Sequence, residues 1–227
     1  MTLDQKTLWL RWTAANALAE MTGLGATFAV IGGLASGLES LPPGAAALIS
    51  FAVAVVSGSI EATIVGLAQW WAMRPWFPTI SRLDWWRATL VGALLGYVLG
   101  YLPSTLMSMG ESAGQTSVQE PPQWVVLLLA GGLGLVAGAV LSFVQWLVLR
   151  GKVTRAGLWL PANMLAWALG MPLIFQAMDW AFRMPEMWQS ALVIAGMLLL
   201  AGGVVGAVHG SFLIRMISTS QDQAIMP

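Results

Sequence analysis

Six stretches of more than twenty mostly apolar residues follow one another along the chain, separated by short breaks rich in proline, glycine and charge. They cover roughly residues 12–38, 46–73, 85–109, 123–149, 157–181 and 188–214. About 20 such residues suffice to cross a bilayer as a helix. The remaining residues leave no stretch long enough for a separate soluble domain. Charged residues make up only 9% of the 227 and hydrophobic ones 58%, with a mean hydropathy of +0.76. A soluble domain carries about 25% charge. The chain therefore reads as one all-α integral membrane domain, a polytopic bundle of six transmembrane helices.

Charge supplies the orientation and excludes several partners. Ten basic residues balance ten acidic ones, which argues against a nucleic-acid binder and leaves the lipid bilayer as the main partner. Lys6, Arg11, Arg74, Arg82, Arg87, Arg150, Lys152, Arg155 and Arg215 fall on the side of the termini, and only Arg183 falls on the other. Basic segments stay in the cytoplasm, so both termini are expected there. The opposite loops carry Glu39, Glu111, Glu120, Asp179 and Glu186. Asp4 and Glu20 interrupt the first 25 residues, which do not read as a cleavable signal. No cysteine is present, so disulfides, thiolate metal sites and cysteine nucleophiles are excluded.

Three segments share a register. Odd spans begin with Trp12/Asn16/Gly23, Trp85/Thr89/Gly96 and Trp159/Asn163/Gly170. Even spans end with Ala62/Gly66/Gln69/Arg74, Gly138/Ser142/Gln145/Arg150 and Gly203/Ala207/Gly210/Arg215, with His209 near the place of the glutamine. Three tandem helical hairpins, about 8–73, 82–150 and 156–216, are the simplest account. Rows such as Gly92/Gly96/Gly100, Gly134/Gly138 and Gly202/Gly206/Gly210 predict tight helix packing, because small residues four apart let helix backbones approach in lipid. Pro103 and Pro172 fall inside spans and are expected to bend them. The tryptophans and arginines at span ends read as an interfacial belt.

Helical rise places Asn16, Thr89, Asn163, Gln69, Gln145 and His209 in one polar layer, about 6–9 Å inward from the Trp and Arg markers. Gln69 is expected to meet Thr89, and Gln145 to meet Asn163, across short loops. The last helix is expected to meet the first, bringing His209 near Asn16 and Glu20. Ionisable groups inside a membrane are costly and mark functional sites. Glu20, Glu61 and His209, with Asn16 and Asn163, form the candidate ion or proton path; Gln69, Thr89 and Gln145 form a structural layer. The competing structural reading has the two carboxyl groups protonated between helices or facing another subunit. Asp179 and Arg183, four apart, read as an interfacial ion pair with Gln176 beside it.

The sequence calls for no cofactor and no metal. It contains no His-Glu-x-x-His, phosphate-loop or Gly-x-Ser-x-Gly motif, so enzyme activity is not expected. Gln145-Trp146-Leu147-Val148-Leu149-Arg150, followed by Ala156-Gly157-Leu158-Trp159 and Trp167-Ala168-Leu169-Gly170, resembles a motif of bacterial multi-span membrane proteins that have no assigned activity. Gln69-Trp70-Trp71-Ala72-Met73-Arg74 is a degraded copy. The resemblance implies a bacterial inner-membrane protein. Two functions follow as expectations: a non-enzymatic structural or accessory subunit of a larger membrane assembly, or a small-solute, ion or proton transporter or channel.

Overall fold

The computed structural model describes residues 1–112 and 121–223, with side chains at all of these except 35–36, 111–112 and 218–223. Glu120 and the side chain of Glu111 thus lie outside the described residues. Among the described residues there are six α-helices: α1 Leu3–Leu38, α2 Pro43–Met73, α3 Arg82–Ser112, α4 Gln123–Leu149, α5 Trp159–Phe182 and α6 Met187–Gln223. All six are long and apolar enough to cross a membrane. They run beyond the apolar windows at several ends. Thr2, for instance, caps α1 through a capping box with Gln5, starting the helix a full two turns before Trp12. Pro43 opens α2 at a position where its missing N–H costs nothing. Gly151 and Arg155 take positive φ, turning the chain between α4 and a short 3₁₀ segment, Ala156–Leu158, ahead of α5.

Each helix packs on its predecessor and successor, and α6 packs on α1, so the three hairpins close into a ring. The outward faces are apolar, with Leu18, Val56, Leu128 and Leu192 each more than half exposed. In water such a surface would be unstable; against lipid it has nothing to lose. Glycine rows set the contacts. A Cβ on Gly134 would lie 2.1 Å from the Trp167 carbonyl oxygen, and one on Gly138 2.6 Å from that of Asn163, so α4 and α5 touch backbone to backbone. Gly202 and Gly206 bring α6 equally close to Asn16 and Thr13 of α1.

The row on α3 departs from the expectation. A Cβ on Gly92 would clash with Leu141 at 2.8 Å, but one on Gly96 stands 3.9 Å from Ala137, and one on Gly100 stands 4.0 Å from Leu133. Helices α3 and α4 therefore meet tightly on the side of the termini, at Gly92 and Leu141, and separate from mid-span towards the other end.

The repeated tryptophans also depart from the belt expectation. Trp12, Trp85 and Trp159 are each 0% exposed. Trp159 meets Trp12 and Trp85 edge-on at 5.8 Å between centroids. A ring of six helices leaves space along its axis that the helix backbones do not fill. Three large rings at one level, joined by Leu8, Met73, Leu149 and Leu213, fill it at the terminal end. Trp70 and Trp146, half-buried, keep a rim position instead, each with the arginine four residues later over its ring at 5.4 Å.

Candidate functional site

Next to the tryptophans lies the polar layer. Asn16 Nδ2, Thr89 Oγ1 and Asn163 Nδ2 each donate to the carbonyl of the tryptophan four residues earlier, at 2.8, 2.9 and 3.1 Å. Gln69 Nε2 donates to Asn16 Oδ1 at 2.9 Å, and Gln145 Nε2 donates to Thr89 Oγ1 at 2.9 Å. Gln145 Oε1 also accepts from Trp159 Nε1 at 2.8 Å. The layer exists, but its partners differ from the expected ones. Gln69 bonds within its own hairpin rather than to Thr89, because Gly66 occupies the face of α2 turned to Thr89. Gln145 reaches α5 through Trp159 rather than Asn163, because Gly138 brings the Asn163 backbone against α4.

His209 lies one turn beyond Gly206, which packs on Asn16, but not beside Glu20. Its ring lies against Trp159 at 5.0 Å and Trp12 at 6.4 Å, within the aromatic plug. It is 1% exposed, and neither ring nitrogen has a hydrogen-bond partner. Gly202 of α6 touches Glu20, and seven further residues carry His209 roughly 10 Å away along the axis. His209 is thus not part of a single group with the carboxyls.

Glu20 and Glu61 do come together. Gly23, one turn on from Glu20, packs against the Glu61 backbone, so both side chains are buried at the α1–α2 contact. Among the described residues no donor reaches either Glu20 oxygen, so any hydrogen bond between the two acids would need a proton on one of them. Glu20 is 2% exposed and Glu61 7%. Three glycines make this possible. A Cβ on Gly23 would lie 3.0 Å from Glu61 Cα, one on Gly202 2.7 Å from Glu20 Cβ, and one on Gly58 2.7 Å from the Tyr97 ring. Tyr97 Oη donates to Glu61 Oε2. Its ring stacks on Tyr101 at 6.0 Å with planes 9° apart.

Beyond Glu61 lies a cavity of about 480 Å³ among α1 to α5. Phe28, Tyr97, Tyr101, Trp167 and Met171 supply much of its wall. Ser104, Phe175 and Phe182 are exposed and stand towards the end away from the termini. Sequence reasoning missed both tyrosines and Trp167. Tyr97 falls eight residues past Thr89, the polar position of its repeat, and has no counterpart in the other two hairpins. The Glu61 position relative to α3 was the missing information. At the cavity's far rim, Arg183 donates to Asp179 at 2.6 Å and Gln176 donates to Asp179 at 3.2 Å, as the spacing predicts.

No family model, curated protein or solved structure matches the chain.

Proposed function

We propose that the chain is a non-enzymatic transporter of the bacterial inner membrane, built from a triplicated hairpin with both termini in the cytoplasm. It moves a small solute along the axis of the ring in exchange for a proton held by Glu20 and Glu61. One observation carries this reading: Glu61 lines a cavity, and Glu20 lies buried behind it, walled in by the chain's own helices. Two carboxylates in an apolar interior repel each other unless they share a proton. A solute that reaches Glu61 can replace that proton. The tryptophan plug and polar layer close the path on the terminal side, so passage requires them to open while the cavity closes.

The accessory-subunit reading rests on short loops, glycine-rich faces and acids that the repeats do not share. The enclosure of Glu20 and Glu61 favours transport over it, while Gly32 and Gly33, exposed on α1 with open space beside them, favour assembly.

The test uses purified protein in liposomes with an acidic interior and an internal pH dye. Cationic, neutral and anionic solutes are added one class at a time. One class is expected to drive proton exit with the native chain, and none with Glu61→Gln or Glu20→Gln. Proton exit with no class, or exit unaffected by either substitution, would sink the transport reading. Topology is tested on the same chain, which has no cysteine of its own. A single cysteine at Lys6 should resist an impermeant maleimide added to intact cells, and one at Met187 should be labelled.

A further inference from the structure

The chemistry of the cavity wall specifies its ligand more closely than its position does. This step rests on the transport reading only for the use of the site. Among the described residues that line the cavity, Glu61 is the one carboxylic acid and none is Lys, Arg or His. Behind Glu61 stands Glu20, fully buried, with no donor from the other described residues at either oxygen. The inner end therefore offers acceptors and negative charge and has no cation of its own. Arg183, at the far rim, already holds Asp179.

The side walls are aromatic and aliphatic. Tyr97, bonded to Glu61, stacks on Tyr101, and Trp167 and Phe28 add ring surface to the same cavity. Aromatic faces attract cations, and more strongly where water is excluded. The volume of about 480 Å³ lies within the usual range for small-molecule sites, about 300–1,000 Å³. An anion would meet the carboxyls without a compensating charge. A small hydrated metal ion would leave most of the apolar wall unfilled.

The way in has the same character. The α3–α4 seam loosens from Gly92 to Gly100, and Leu133 and Ala137 on its α4 side are half-exposed while lining the cavity. That opening faces the surrounding lipid, where amphiphilic molecules collect.

We infer that the cavity binds a hydrophobic organic cation, its charged head at Glu61 among the tyrosine rings and its apolar body towards the α3–α4 seam. The proposal adds a ligand class and an entry route to the transport reading.

The probe is 4-phenylbutylamine, which at pH 7 is charged like a lysine side chain; 4-phenylbutanol, of matching length, is the neutral control. Binding to the full chain in phosphatidylcholine nanodiscs is followed by calorimetry, with empty nanodiscs subtracted. The amine is expected to bind at least tenfold more tightly than the alcohol. Glu61→Gln should bring the amine down to the level of the alcohol. Gly96→Cys with Ala137→Cys places two Cβ atoms near 3.9 Å, which suits a disulfide. The oxidised form should bind the amine at least tenfold more slowly and regain the native rate on reduction, a control that is independent of Glu61. Equal binding of amine and alcohol, or an oxidised clasp without effect, would overturn the inference. Amine binding without proton movement would overturn the transport reading and leave the binding site standing. Proton movement driven by another solute class, with no amine binding, would do the reverse.

Discussion

Gln145 makes two interhelical bonds in the buried layer, to Thr89 and from Trp159, whereas Gln69 makes one, to Asn16. The difference has an energetic consequence. A side-chain hydrogen bond between membrane helices contributes about 0.6 kcal/mol. A buried donor left without a partner costs about 1–3 kcal/mol. Gln145→Leu strands the Trp159 indole N–H, so it should cost about 2–3 kcal/mol, and Gln69→Leu about 1 kcal/mol. Reversible unfolding in mixed micelles measures both; equal losses would contradict the bonding pattern. The depth of this layer was legible in the sequence, because Trp and Asn or Thr recur four apart and helical rise is constant. Its pairing was not legible. Which neighbour a glutamine meets depends on how each helix is rotated, and the close approaches at Gly66 and Gly138 set that rotation only once the helices are packed. The tryptophans were misread for a related reason. A Trp at a span end fits a headgroup belt and an axial plug equally well until the diameter of the ring is known.

Glycine positions divide the helices into surfaces that tolerate a methyl group and surfaces that do not. Gly134 meets the Trp167 carbonyl so closely that any Cβ must push α4 from α5, whereas Gly196 on α6 has open space around it. Overpacking a close contact costs about 1–3 kcal/mol. Gly134→Ala should therefore lower stability by that amount, seen as a lower midpoint in thermal unfolding. Gly196→Ala should be neutral or raise stability by up to about 1 kcal/mol, since alanine favours the helix. The six helices were legible from apolar length and the proline-rich breaks. The looseness of α3 against α4 was not. Gly92, Gly96 and Gly100 carry the same residue at the same spacing, and only the divergence of the two axes separates a contact from an opening.

At the scale of the whole molecule, the ring closes where α6 meets α1. A Cβ on Gly203 would stand 4.0 Å from that of Ala17, close to the usual separation in a disulfide. Ala17→Cys with Gly203→Cys should cross-link on mild oxidation and migrate faster in denaturing electrophoresis. A pair that stays reduced would contradict closure. The carboxyl pair illustrates how far reading along the chain can go. Glu20 and Glu61 stood out because intramembrane acids are rare and expensive. That they share one site, with Tyr97 bonded to one of them, follows from the α1–α2 crossing at Gly23 and from the position of α3, neither of which is written in local sequence.

The wall behind Glu20 has a consequence for biogenesis. Gly202, which covers that acid, is translated long after it. At about 5–20 residues per second, the ribosome needs on the order of ten seconds or more to reach it. For that interval the nascent first helix carries an acid with no cover on that side. Insertion machinery must shelter it, or it must wait in neutral form, until the final segment leaves the translocon.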